Sequence, residues 1–235
     1  MVSGANPVLE LLRSGATVER ILIGPGPRRG EILAESDRRG VPHVETDRRA
    51  LEQLAGRTGH QGAVAVTPPF RYHDLDEVGA GEGGCALVLD GIQDPRNLGA
   101  ILRTARAAGV GGVVLPQDRS VGITPVVVGA SAGTLFGLRV ARVPNLVRAM
   151  KTLKDHGFWL VGLLPSATRS LFEIELPGRV ALVVGGEGEG LRPLVRRTCD
   201  LEARIPMAPG VESLNVSVAT GVALFELCRK TGQVR

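Results

Sequence analysis

Three stretches of this chain place short polar side chains where backbone groups are free to hold a ligand. "SLNVSVATGVALFELCRK" (Ser213 to Lys230) opens on serine and asparagine, then becomes an apolar run at roughly helical spacing through Val218, Val222, Leu224, Phe225 and Cys228. Ser and Asn cap helices. A helix start also gathers unpaired N–H groups that can bind a ligand. "DPRNLGAILRTARAAG" (Asp94 to Gly109) predicts a helix with Asn97 able to cap it, projecting Arg103 and Arg106. Arg106 reads as an ordinary solvated arginine. "VVGGEGEGL" (Val183 to Leu191) is a glycine turn between a strand and a helix. It is not a dinucleotide fingerprint: Leu191 stands where the last glycine should be, and Glu187 and Glu189 would oppose a pyrophosphate. Carboxylates on a glycine loop suit a neutral or cationic ligand, such as a methyl-donor sulfonium.

The elements that must position these groups fall into two series. Residues 1–69 alternate helix and strand signals: a helix in "NPVLELLRSG" with Asn6 as cap, a strand in "VERILIG", a helix in "RRGEILAESDRRG" closed by Gly40, a strand in "VPHVET", a helix capped by Asp47 and a last strand in "GAVAV". Residues 70–84, rich in acids and glycines, read as a linker. From Cys85 to the C-terminus, at residue 235, a second series begins, its short β-branched runs separated by amphipathic helices. "CALVLDG", "GGVVLP", "LRVARV", "FWLVGLLP", "RVALVVG" and "ARIPM" are its expected strands. That pattern argues for an α/β domain with a mostly parallel sheet covered on both faces.

Composition narrows the function classes. The chain has 28 basic and 24 acidic residues, a net charge of +4. Its lysines are Lys151, Lys154 and Lys230, so nearly all the positive charge is arginine, which suits bidentate phosphate contacts. Aromatic residues are 3% of the chain, too few for a base-stacking platform. Cys85, Cys199 and Cys228 match no metal or redox spacing and read as reduced core thiols. No apolar run reaches the length of a membrane span, and the N-terminus lacks the basic-then-apolar pattern of a signal peptide. The expectation is a cytoplasmic protein with no membrane partner and no metal.

Taken in order, "NLGAILRTARAAG", "VVGGEGEGL" and "IPMAPGVESLNVSVATGVALFE" resemble the three motifs of the SpoU/TrmH branch of the SPOUT methyltransferases. The resemblance covers the chain from about Cys85 to its end. The N-terminal "GANPVLELLRSG" and the α/β pattern after it are similar to the ribosomal-protein-like RNA-binding domain that precedes the catalytic domain in the ribosomal RNA members. The resemblance implies an α/β knot, a deep trefoil, and a homodimer in which the partner helps to form the RNA site. It implies transfer of a methyl group from S-adenosyl-L-methionine to a ribose 2′-hydroxyl in RNA, with a guanosine of 23S rRNA as the leading target. Arg103, Asn97, Glu187, Ser213 and Asn215 fall on its catalytic motif positions. Gly185, Ile205, Met207 and Leu214 fall on its cofactor contacts, and Leu163 and Leu164 on a further cofactor loop. A 2′-hydroxyl target makes RNA obligatory and excludes DNA. Arg28, Arg29, Arg38 and Arg39 are candidate RNA-docking residues, each with a solvated helix face as the plainer reading. The alternatives are a tRNA enzyme or an antibiotic-resistance rRNA methyltransferase of the same fold, a non-catalytic RNA-binding module and, more distantly, a nicotinamide dehydrogenase.

Overall fold

A computed structural model describes residues 1–55, 58–80, 84–176 and 178–232. The chain forms two compact units, Met1–Arg71 with Ile123–Gly137, and Tyr72–Gly122 with Leu138–Arg235. In the expected linker, residues 81–83 lie outside the described residues.

In the first unit the elements run β1 (Val2–Ser3), α1 (Ala5–Arg13), β2 (Arg20–Ile23), α2 (Arg29–Arg39), β3 (His43–Glu45), α3 (Arg48–Ala55) and β4 (Ala63–Val66). The sheet order is β1-β4-β2-β3, with β2–β3 parallel and the other pairs antiparallel. Leu9, Leu11 and Leu12 of α1, Ile21 and Ile23 of β2 and Ile32 of α2 are all buried in its core. Gly40 ends α2 in the left-handed region, φ 65°, which costs a glycine nothing. Asp47 caps α3 through the Ala50 amide at 2.8 Å. Asn6 does not cap α1: the helix starts two residues earlier, at Ala5, with Gly4 as its cap residue, whose φ of 114° few other residues adopt. Strand β1, only two residues long, is too short to show in a hydrophobic pattern.

The second unit opens with α4 (Leu75–Gly79), a helix inside the stretch expected to be linker. Asp74 and Glu77 close a reciprocal capping box there, which explains a helix so short. It continues β5 (Cys85–Asp90), α5 (Pro95–Ala107) and β6 (Val113–Pro116). Helix α6 (Pro125–Ala130) then contributes to the first unit. The second unit resumes with β7 (Val140–Val143), α7 (Leu146–Asp155), β8 (Trp159–Leu163), β9 (Val180–Gly185), α8 (Pro193–Thr198), β10 (Leu201–Ala203) and α9 (Val216–Lys230).

Its six strands pair in the order β10-β8-β9-β5-β6-β7, every pair parallel. Strands β5 and β9 lie at the centre and every residue of both is buried. This accounts for their unbroken apolar runs, because a strand covered on both faces has no polar side. The strand read in "ARIPM" sits earlier, at Leu201–Ala203, with only Ala203 fully buried, as an edge strand allows. From β5 the chain steps outward through β6 to β7, then crosses to β8 on the far side of β9. The order therefore reverses beside β5 and β9, and open α/β sheets bind ligands past the carboxyl ends of strands at such a point.

Candidate active site

The carboxyl ends of β5 and β9 carry Asp90 and Gly185, and the two residues are paired in register. The loop after β9 is packed so closely that glycine is obligatory. A Cβ on Gly185 would lie 2.1 Å from the carbonyl carbon of Gly190, and one on Gly186 would lie 2.2 Å from the Gly91 oxygen. The Gly186 amide donates to the Asp90 carbonyl at 2.8 Å, and Gly186 and Gly190 form an isolated bridge. The turn is therefore pinned at its base, and Glu187 projects from it.

A second clamp holds the far side of this turn. The Asp90 carboxylate is fully buried and accepts from the Arg192 amide at 2.8 Å and from Arg192 Nε at 2.6 Å. Arg192 is the N-cap residue of α8. The pair is 102 residues apart in sequence, so no spacing could have announced it.

Helix α5 begins differently from the sequence reading. Its cap is Asp94, which accepts from the Arg96 amide at 2.7 Å, and Pro95 takes the first helical position. Asn97 is thereby released from capping and becomes the centre of a hydrogen-bonded chain. Its amide nitrogen donates to Glu187 Oε1, and its oxygen accepts from the Asn215 amide nitrogen at 3.2 Å. Asn215 Oδ1 in turn caps α9, accepting from the Ser217 amide at 2.9 Å and from the Ser217 hydroxyl at 2.6 Å. One asparagine thus ties together the three stretches that stood out in the sequence. Asn215 both caps α9 and bonds Asn97.

Next to Asn215, Ser213 and Leu214 enter a cavity wall. A cavity of about 70 Å³ is lined by Leu163, Leu164, Ile205, Met207, Ser213 and Leu214, together with Pro165 and Ala219. A more open cavity of about 480 Å³ shares Pro165, Ile205 and Met207 with it and adds Arg204 and Glu212. Gly185 does not line either cavity; its place is at the end of β9. The mostly apolar walls of the smaller cavity suit an adenine or thioether surface, and the Glu212 carboxylate in the wall of the larger one is suited to a cationic group.

Arg103 is set apart from this network. It is exposed on α5 and makes no hydrogen bond or ion pair among the described residues. Six residues separate it from Asn97, which places it about 120° round the helix. The N-terminal arginines are occupied. Arg28 bonds Asn6 and Glu31, Arg29 pairs with Glu45, and Arg38 pairs with Glu35. The Arg39 guanidinium holds the carbonyls of Leu12 and Ala16 at 2.6 and 3.0 Å, a structural tie between α1 and α2.

The cysteines are free thiols, Cys85 and Cys228 buried and Cys199 half-buried. Burial, with Asp200 and Glu202 nearby, pushes the Cys199 thiol up to about 12. Among the described residues no group of His, Cys, Asp and Glu could hold a metal ion. No helix of the described chain is long and apolar enough to cross a membrane.

Comparison with known proteins gives the family. The family model for the SpoU rRNA methylase family matches residues 84–225, and that for RNA 2'-O ribose methyltransferase substrate binding matches residues 1–73. A 23S rRNA (guanosine-2'-O-)-methyltransferase of Xylella fastidiosa is 43% identical over 97% of this chain and 96% of its own length. Among solved structures, the SpoU methyltransferase AviRb from Streptomyces viridochromogenes in complex with AdoMet superposes with a TM-score of 0.82. It is 25% identical and covers 97% of this chain and 88% of its own. An AdoMet-bound rRNA methyltransferase from Sinorhizobium meliloti gives a TM-score of 0.81 at 27% identity, covering 97% and 86%. A matched catalytic family over residues 84–225, its substrate-binding partner domain at the N-terminus and a relative 43% identical along nearly the whole chain lead to one assignment: the protein belongs to the SpoU rRNA methylase family.

Proposed function

We propose that the protein transfers a methyl group from S-adenosyl-L-methionine to the 2′-hydroxyl of a guanosine in 23S rRNA. The observation that carries the reading is the Glu187–Asn97–Asn215 chain beside a cavity walled by Ser213 and Leu214. The named activity of the Xylella fastidiosa relative supports the guanosine and the ribosomal RNA. The AdoMet-bound SpoU structures support the cofactor.

Leu163, Leu164, Ile205, Met207 and Leu214 would hold the cofactor against apolar walls, with Gly185 supplying backbone at the end of β9. S-adenosylmethionine supplies a sulfonium methyl whose transfer releases a neutral thioether. The protein's part is to hold the ribose oxygen in line with that methyl, and orientation of this kind contributes about 7–11 kcal/mol. Glu187, Asn97, Ser213 and Asn215 provide the orienting groups. Arg103 cannot be a general base, because a guanidinium stays protonated. It binds the phosphate beside the target and stabilises the oxyanion as the hydroxyl gives its proton to a solvent water, which carries it away as hydronium while the methyl passes to the oxygen and the neutral thioether departs.

The family's trefoil knot and homodimer belong to this proposal. The chain passes from edge strand β10 to α9, which packs on central β9 and on α5, a path that a threaded C-terminus would take. Val218, Val222 and Phe225 leave an apolar stripe on α9 exposed by 51%, 38% and 43%, which a second copy would cover. Arg103 points away from its own Asn97 network, as it would if the partner's cofactor lay opposite. The protein is placed in the cytoplasm, where its substrate is made.

The test is a pair of Arg103 variants. Arg103→Lys should keep RNA affinity within a few-fold and lose most turnover. Near-normal turnover in Arg103→Ala would overturn the role given to this residue.

A further inference from the structure

Arg103 is not alone on its helix. Arg96, Arg103 and Arg106 are all exposed on α5, and none of the three side chains has a hydrogen-bonding or ionic partner among the described residues. Seven residues separate Arg96 from Arg103, nearly two full turns, so the two lie within about 20° of one another. Arg106 lies about 60° further round, and the stripe runs about 15 Å along the helix.

The position of Arg96 is unfavourable by local rules. It sits in the first turn, where the helix macrodipole is positive, and no acidic side chain shares that turn. Asp94 is near, but its carboxylate is spent on the Arg96 amide and not on the guanidinium. A cation held against a dipole with no internal anion points to an anion from outside. The contrast with the first unit is sharp, because Arg28, Arg29, Arg38 and Arg39 already have protein partners.

We propose that Arg96 and Arg106, flanking Arg103 on α5, form a phosphate-binding track for the RNA strand that carries the target nucleotide. The proposal rests on the RNA methyltransferase reading and extends it from one arginine to a surface. The track recognises backbone charge and not sequence. It sets where the strand lies along α5, while Arg103 attends to the phosphate beside the reacting ribose. The sequence pattern alone leaves Arg106 as a solvated residue; its lack of any partner, in line with Arg96, gives it this role.

The experiment compares Arg96→Ala/Arg106→Ala with Arg148→Ala/Lys151→Ala, which removes the same charge from exposed positions on α7. The probe is unmodified 23S rRNA transcript, its affinity measured from 50 to 300 mM salt alongside methyl-transfer kinetics. For the α5 pair the expected result is an affinity about 10- to 100-fold weaker and a log–log salt slope shallower by about 1.5. Turnover at saturating RNA and affinity for S-adenosylmethionine should stay within twofold, and the α7 pair should bind as the unsubstituted protein does. RNA affinity and salt slope within twofold of the unsubstituted protein in the α5 pair, with an unchanged melting temperature, would overturn the track. So would an equal loss in the α7 pair. If the α5 pair loses affinity while the unsubstituted protein binds RNA without transferring methyl, the track stands and the methyltransferase reading falls.

Discussion

The hydrogen bond from Asn97 to Glu187 can be reversed, and reversal tests whether the pair acts as a unit. Asn97→Asp replaces the donor amide with a second carboxylate oxygen facing Glu187 Oε1. One charge-assisted hydrogen bond is lost, at about 1 kcal/mol because Glu187 is solvent-exposed. Two like charges are left about 3.5 Å apart at an effective dielectric near that of a wet surface, adding about 1–2 kcal/mol. The sum, about 2–3 kcal/mol, corresponds to a roughly 30- to 150-fold loss in kcat/KM if the geometry of this chain serves the transition state. Glu187→Gln removes the charge, yet its amide oxygen can still accept from Asn97, so this variant should lose no more than about fivefold. In Asn97→Asp/Glu187→Gln the donor and acceptor exchange places. The introduced glutamine amide donates, and the introduced carboxylate accepts both from it and from Asn215. The double variant should recover to within about fivefold of the unsubstituted protein, a coupling of about 2–3 kcal/mol in the double-mutant cycle. The assay is methyl transfer to unmodified 23S rRNA at saturating cofactor, with melting temperatures taken on each variant. Additive losses, with the double variant as poor as the product of the singles, would refute the claim that this contact orients the site.

Three other outcomes follow from the same geometry. Asp90→Ala strips a fully buried anion from Arg192; breaking such a pair costs about 3 kcal/mol, so the melting temperature should fall by about 6–12 °C, and a fall below 2 °C would refute the clamp. Gly186→Ala drives a methyl group into the Gly91 carbonyl, so methyl transfer should drop at least tenfold while Gly30→Ala on α2, whose Cβ meets nothing within 4 Å, is near neutral; equal effects would contradict the close approach. At pH 8, Cys199 should alkylate on the order of a thousandfold more slowly than an ordinary thiol, read by mass spectrometry of the folded protein, because burial pushes it up to about 12; labelling at the rate of a free cysteine would contradict this.

How much of this was legible depended on whether the physics was local. The parallel sheet was legible because β5 and β9 are buried on both faces and so read as unbroken apolar runs. Edge strands gave less, and "ARIPM" placed β10 too late because an edge needs no continuous apolar signal. The Asn97 misreading is instructive. Asp-Pro is itself the signature of a cap followed by the first helical residue, so the true start of α5 was present at Asp94 and Pro95, and Asn97 was free to bond Glu187 and Asn215. Asn215 could be read both as cap and as site residue; it caps α9 through Ser217, and its amide reaches Asn97, the contact on which the proposed site role rests. The Arg28–Glu31 and Arg38–Glu35 pairs are three residues apart and could have been seen in the sequence, which weakens those arginines as docking residues. Asp90 and Arg192 could not have been paired by any spacing, since only the fold brings them together.

The most direct measurement is transfer of labelled methyl from S-adenosylmethionine to unmodified 23S rRNA, with bulk tRNA in parallel, followed by alkaline hydrolysis. A methylated 2′-oxygen blocks cleavage at its own phosphodiester. The account predicts label in an alkali-resistant dinucleotide that begins with guanosine, from ribosomal RNA only, and its loss in Arg103→Ala. Label that alkali releases as a mononucleotide would contradict the account, as would label confined to tRNA.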